Sequence, residues 1–210
     1  ELVRTSSPML ITGLTTVLST ALPIFVINIL STQAQVGIYS VSYGIAGIIS
    51  TALVIVNSIA APKFSELFWA DKTVELQTLV SQSAKMLFYV SLGMFLFICV
   101  SSKFLLGIFG NEFFEGISAL IILAFGQMIN AMSGSVGILH NVSGNEVPYS
   151  KIRTLAIILL VILLFSLIPF YGIVGAAIST STSLIFLNIL SIKSIYRRLG
   201  IISIFVPFKN

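Results

Sequence analysis

The chain alternates between short charged segments and long stretches that carry no Asp, Glu, Lys or Arg. Uncharged runs of 58 residues separate Arg4 from Lys63, 17 separate Lys85 from Lys103, 30 separate Glu115 from Glu146, and 39 separate Arg153 from Lys193. A helix needs about 20 apolar residues to cross roughly 30 Å of hydrocarbon. The runs of 58 and 39 therefore each hold two spans, and those of 17 and 30 hold one each. Polar breaks divide the long runs: Ser31-Thr32-Gln33-Ala34-Gln35 in the first, and Pro169-Phe170-Tyr171-Gly172 in the last. The second break is a Pro-x-x-Gly stop and restart. The pattern predicts six spans at about 8–30, 36–61, 84–102, 117–140, 154–170 and 173–193. Ahead of the third, Leu76, Leu79, Val80 and Leu87 recur at helical spacing among Glu75, Gln77 and Gln82. That spacing predicts an amphipathic segment over about 73–85, lying at the membrane interface before the chain enters the bilayer. Nothing alternates with a period of two, which argues against a β-barrel.

Composition agrees with this reading. Of 210 residues 57% are apolar and 9% charged, against about 45–50% and roughly 25% in soluble domains. A water-soluble protein, a disordered chain and a nucleic-acid-binding module are all excluded. The net charge of +4 encodes orientation. With six spans, one side of the membrane receives Arg4, Lys63, Lys72, Lys85, Lys151, Arg153, Lys193, Arg197, Arg198 and Lys209, and the other receives only Lys103. By the positive-inside bias, both termini are expected in the cytoplasm of a multi-pass protein of the cytoplasmic membrane. The single cysteine, Cys99, lies in an apolar run, so neither a disulfide framework nor a thiolate metal site is expected.

Catalysis needs titratable or metal-binding groups brought together. The seven acids, Glu1, Glu66, Asp71, Glu75, Glu112, Glu115 and Glu146, all fall in terminal or interfacial segments. The one histidine, His140, sits at the end of the fourth span and reads as an interfacial residue. No phosphate loop is present, and Asn141-Val142-Ser143, a glycosylation sequon by pattern, falls on the cytoplasmic side. The chain is therefore read as a protein without enzymatic activity, cofactor or metal. A carboxylate inside the membrane is the usual mark of ion coupling, and these spans supply none.

The spans do carry neutral polar stripes. Thr12, Thr16, Ser19 and Pro23 share one face of the first, and Tyr43, Gly47, Ser50, Asn57 and Ala61 follow a similar stripe in the second. Gln127, Asn130, Gly134, Gly137 and Asn141 do so in the fourth, and Gly175, Ser179 and Thr182 in the sixth. Two readings stand. Small residues and hydroxyls pack helices together, which suffices for Gly44, Gly47, Gly175 and most Ser and Thr. Alternatively the stripes line a water-filled cavity that takes a neutral polar solute such as a sugar. Gln127 and Asn130 favour the second reading, because an amide facing lipid is costly. Pro23 and the glycine-rich fourth span are candidate bending points for alternating access.

Several strings resemble the polysaccharide flippases of the multidrug/oligosaccharidyl-lipid/polysaccharide (MOP) exporter superfamily. They are Val36-Gly37-Ile38-Tyr39-Ser40, Ala61-Pro62, Phe109-Gly110-Asn111-Glu112-Phe113-Phe114-Glu115-Gly116, the run Phe125 to Gly137 continuing through Asn141 to Glu146, and Leu167 to Ala177. They occur in the family's order over about residues 5–198. The resemblance implies an all-α integral membrane protein of MATE-like fold, with two parallel-repeat bundles around a central cavity, of which residues 1–210 form the C-terminal six-helix bundle. The start at Glu1, without an initiating Met, fits that expectation. The implied activity is movement of a polyprenyl-diphosphate-linked oligosaccharide across the cytoplasmic membrane by alternating access. Implied partners are the lipid-linked oligosaccharide, membrane lipids, an N-terminal six-helix half of the same protein, and a glycan polymerase or glycosyltransferases. Thr12, Thr16, Ser19, Tyr43, Ser50, Asn57, Gln127, Asn130 and Asn141 are the candidate cavity residues.

Two features depart from the family pattern. Ser19-Thr20-Ala21-Leu22 occupies the region where many relatives carry an acid, and the cavity arginines of such flippases have no counterpart in these spans. Arg4 and Lys63, near the ends of the first two spans, are the cations left to approach an anionic headgroup, with membrane anchoring as their alternative role. A cation-coupled multidrug exporter of the same superfamily is the rival activity. A non-transporting scaffold for glycan synthesis, docked through residues 73–85, is the rival of a different class.

Overall fold

The computed structural model describes residues 2–205, with side chains described from Leu10 onward. Among these residues the chain is helical, with no strand. Helix α1 runs Leu2–Leu30, α2 Gln33–Trp69, α3 Thr73–Gly107, α4 Ile117–Met132, α5 Val136–Val142 and α6 Glu146–Leu199, with a 3₁₀ turn at Asn111–Gly116 before α4. Five of these helices are long and apolar enough to cross a membrane, and α6 folds back on itself at Gly172, so the spans number six. The protein is an all-α, multi-pass membrane bundle. Its outer surface carries the apolar side chains that such a bundle turns to lipid, among them Val100, Phe104, Ile59 and Phe170, all more than 70% exposed.

Each turn has a local cause. Thr32 caps α2, its hydroxyl accepting from the Gln35 backbone N–H. Gly172 reverses the chain in a single residue, with φ 52° and ψ −130°, a backbone region essentially reserved for glycine. The break expected across Pro169–Gly172 is thus narrower, and helix continues through Pro169 up to that residue. Gly175 lets the two arms of α6 meet, since a β-carbon there would lie 2.5 Å from the Leu167 carbonyl oxygen.

One expectation is corrected. The fourth span is not one helix over 117–140: it stops at Met132, turns through Ser133–Ser135 with Gly134 at φ 73°, and resumes as the short α5. The amphipathic segment 73–85 is the N-terminal part of the same helix as the third span, since α3 runs through it without interruption. At 35 residues and about 1.5 Å per residue, α3 is about 52 Å long and extends well past the hydrocarbon. The apolar face of that extension is covered by protein. Leu76 and Val80 pack with Phe64, Leu67, Leu139, Ile195 and Ile201 in a second, smaller core.

Residues 200–205 complete this second core. Gly200, at φ 66°, ends α6, and Ile201 inserts into the cluster. The Gln77 side chain then brackets Ile202, Nε2 donating to its carbonyl at 3.0 Å and Oε1 accepting from its N–H at 2.8 Å. Ser203 covers the Gly134 turn so closely that a β-carbon at Gly134 would collide with the Ser203 carbonyl oxygen. The main core lies at the other end of the bundle, around Ile27, Tyr39, Ile49, Leu120, Leu123, Leu164 and Ala176.

Candidate functional site

A cavity of about 490 Å³ opens between α1, α2, α4, α5 and both arms of α6. All nine candidate residues, Thr12, Thr16, Ser19, Tyr43, Ser50, Asn57, Gln127, Asn130 and Asn141, lie on its wall. The turn at Gly134 does not scatter the fourth-span stripe, since Gly134, Gly137 and Asn141 line the same space as Gln127 and Asn130. Lys63 is not on that wall; it is exposed and pairs with Glu66 at 2.7 Å. Arg4 lies outside the residues whose side chains are described.

The sequence reading passes over several polar cavity residues, among them Arg153, Asn188 and Ser191. Arg153, at the start of the first α6 arm, lines the cavity, which corrects the expectation that these spans lack a cavity arginine. Its Nε donates to Thr15 Oγ1 at 3.0 Å, Nη2 to Thr16 Oγ1 at 2.6 Å, and Nη1 to the Tyr149 hydroxyl at 3.3 Å. All three partners are neutral, and among the described residues no Asp or Glu lines the cavity. Asn188 and Ser191 complete the wall from the second α6 arm. The criterion that selected Gln127 and Asn130, an amide inside an apolar run, selects Asn188 equally well. The signal for Arg153 was its position: 18 uncharged residues separate it from Gly172, about 27 Å of helix. That length sets the guanidinium at the membrane boundary.

The hydrogen bonds separate structural polar groups from available ones. Tyr39 and Thr180 bond across α2 and α6 at 2.9 Å, Ser181 donates to the Ile122 carbonyl at 2.9 Å, and Ser183 donates to the Ala156 carbonyl at 2.6 Å. Thr180, Ser181 and Ser183 of the sixth span thus serve interhelical packing, while Ser179 bonds back to the Gly175 carbonyl and Thr182 is exposed. Gly126 belongs with that packing, since a β-carbon there would lie 2.6 Å from Ser181 Oγ. Gly44 and Gly47 do not, having nothing within 4 Å of a β-carbon. On the cavity wall, Asn188 Nδ2 donates to Asn130 Oδ1 at 3.0 Å, which aligns the two amides. Asn57 Oδ1 and Ser191 Oγ are buried without a hydrogen-bond partner among the described residues, and such groups normally have one.

His140, in α5 beyond the fourth span, is fully buried and stacks on Tyr149 at 4.9 Å between ring centroids. Burial holds its pKa below the ordinary imidazole range; the backbone at Ser191 and Asn145 opposes the shift, and the Arg198 charge adds to it. A neutral ring in this position is a packing surface behind the Tyr149–Arg153 pair. No group of three or more His, Cys, Asp and Glu side chains that could hold a metal occurs among the described residues. Among the described residues the arrangement offers hydroxyls, amides and the Arg153 guanidinium, groups suited to binding a polar or anionic solute.

Comparison with known proteins gives this arrangement a context. A family described as polysaccharide biosynthesis protein matches residues 1–118. The chain is 29% identical over 192 residues to a capsular polysaccharide biosynthesis protein, CapF, of Staphylococcus aureus, covering 87% of this chain and 46% of that one. It is 27% identical over 159 residues to a probable low-salt glycan biosynthesis flippase, Agl15, of Haloferax volcanii, covering 75% of this chain and 34% of that one. The chain thus spans about half, or less, of the length of the curated relatives it matches.

Proposed function

The chain belongs to the polysaccharide biosynthesis protein family, and from that premise we propose that it is the C-terminal bundle of a lipid-linked oligosaccharide flippase. The whole protein moves a polyprenyl-diphosphate-linked glycan across the cytoplasmic membrane, and both ends of this bundle face the cytoplasm. One observation carries the reading: a polar cavity with, among the described residues, a single guanidinium and no acid on its wall. Hydroxyls and amides spaced along Thr12, Thr16, Ser50, Asn57, Gln127 and Asn130 match the alternating donors and acceptors of a sugar chain. Arg153 supplies the cation for the diphosphate, with a planar fork that suits phosphate oxygens. Its present bonds to Thr15, Thr16 and Tyr149 are neutral, so an arriving anion competes with hydroxyls and not with a carboxylate. The lipid tail stays in the bilayer along the exposed apolar faces. Lys63, already paired with Glu66, is the weaker candidate for the headgroup. An N-terminal half supplies the opposite wall, and alternation opens the cavity to each leaflet in turn.

The drug-exporter reading needs an intramembrane carboxylate, and the described residues of this cavity wall offer none. The scaffold reading needs a free amphipathic face at 73–85, which packs instead against Phe64, Leu67 and Ile201. The test is leaflet-resolved labelling of lipid-linked oligosaccharide in cells lacking the full-length gene. Cytoplasmic-leaflet build-up is expected, relieved by the wild-type gene and less well by a folded Arg153→Leu or Gln127→Leu/Asn130→Leu protein. Full relief by both variants would overturn the cavity role. An unchanged leaflet distribution, with no second flippase present, would overturn flipping itself.

A further inference from the structure

A second opening, also about 490 Å³, lies outside the cavity, between the basic ends of the two α6 arms. Its floor is Ile152, Leu155 and Leu190, and its rim is Lys193, Arg197 and Arg198. Leu190, Lys193 and Arg197 follow at offsets of 3 and 7 residues, which brings floor and rim onto one helix face. Among the described residues no Asp or Glu lines this groove, and the ion pairs are Lys63–Glu66 and Lys72–Glu75, both elsewhere. Arg198 gives one donor to Asn145 Oδ1 at 2.7 Å, which fixes its direction and leaves its other N–H groups available. Lys193 and Arg197 are exposed.

Depth decides what such a groove fits. Residues 173–192 are 20 uncharged positions, about 30 Å of helix and one hydrocarbon thickness. Leu155 and Leu190 therefore sit inside the hydrocarbon edge, and Lys193, Arg197 and Arg198 sit at the level of the lipid phosphates. An aqueous anion would find the cations but leave the apolar floor unused, and a neutral lipid would use the floor alone. We propose that this groove is a binding site for an anionic phospholipid, its phosphate on Lys193, Arg197 and Arg198 and an acyl chain along Ile152, Leu155 and Leu190. The site is separate from the transport cavity, and the inference does not depend on the flippase reading. Because the groove joins the two arms, an occupied site braces the α6 hairpin from the lipid side while Arg153 braces it to α1 from the cavity side.

The test is native mass spectrometry of the detergent-solubilised full-length protein, titrated with phosphatidylglycerol or phosphatidylcholine of the same acyl chains. The wild type is expected to bind phosphatidylglycerol more tightly. A Lys193→Gln/Arg197→Gln protein, which keeps the Arg198–Asn145 bond, is expected to lose about thirtyfold in phosphatidylglycerol affinity, roughly tenfold per 1.4 kcal/mol with about 1 kcal/mol for each cation. The charge-keeping Lys193→Arg/Arg197→Lys protein retains binding, and Lys72→Gln/Lys85→Gln, which removes the same charge from the same end, leaves it unchanged. Equal loss in the Lys72/Lys85 variant would reduce the effect to diffuse surface charge and overturn the site. So would equal affinity for the two lipids, or no lipid bound because another part of the full-length chain covers the groove.

Discussion

At the Gly172 end, α1, α2, α4 and the second arm of α6 meet through Ile27, Tyr39, Ile49, Leu123 and Ala176; toward the basic end the same helices part around Thr16, Ser50, Asn57, Gln127 and Asn188. The helices do not change, and neither does the solvent around them. What changes along each is the residue on the inward face. Between spans in lipid, apolar side chains gain little by leaving one hydrocarbon phase for another, so a closed end depends on close fit and small residues. Gly116 and Gly126 provide that fit, against Ile38 and Ser181 respectively. At the other end the inward groups are amides, hydroxyls and one guanidinium, which need polar partners that four helices cannot all supply to one another. The bundle is sealed at one end and open at the other because of that difference.

The comparison can be broken most severely at the sealed end. Leu164, fully buried in the main core, is expected to cost about 2–5 kcal/mol as Leu164→Ala in unfolding measurements in mild detergent. Leu184→Ala, on the cavity wall, should cost less than half of that. Gly126→Ala forces its β-carbon onto Ser181 and is expected to lose about 1–3 kcal/mol, with a lower thermal midpoint. Gly47→Ala, with open space around it, should instead gain up to about 1 kcal/mol from helix propensity alone, and a loss there would mean an unseen neighbour. The smallest effect is the amide pair on the cavity wall. A double-mutant cycle on Asn130 and Asn188, each changed to Leu, should return a coupling of about 0.6 kcal/mol while reducing transport by far more than that energy implies. Equal effects on stability and transport would make those amides glue like Ser181.

Charge spacing made the spans legible, and helical spacing grouped the polar positions that turn out to share one cavity. Both rest on properties local to a stretch of chain. The turn at Gly134 was not legible, because Ser133-Gly134-Ser135 lies in an uncharged run with no proline to mark it, and the backbone that packs over it, at Ser203, is 69 positions further on. Gly172 had Pro169 beside it and was found. What covers residues 73–85 is not legible for a related reason. Periodicity reveals an apolar face but not what covers it, and here the cover comes from Phe64, Leu139 and Ile195 on three other helices. Arg153 was counted as an anchoring charge by its place in the sequence, and only the crossing of α1 beside α6 turns its guanidinium onto Thr15 and Thr16.

The central claim is that the glycan passes through the cavity and not along the outer surface. A photo-crosslinking residue placed at Asn130 on the cavity wall, and separately at Val100, 87% exposed on the outer face, tests it in membranes of cells that make the lipid-linked oligosaccharide. Crosslinking of the glycan at position 130 and not at 100 is the predicted result. Capture at 100 with none at 130, in a full-length protein that still supports glycan assembly, would contradict it.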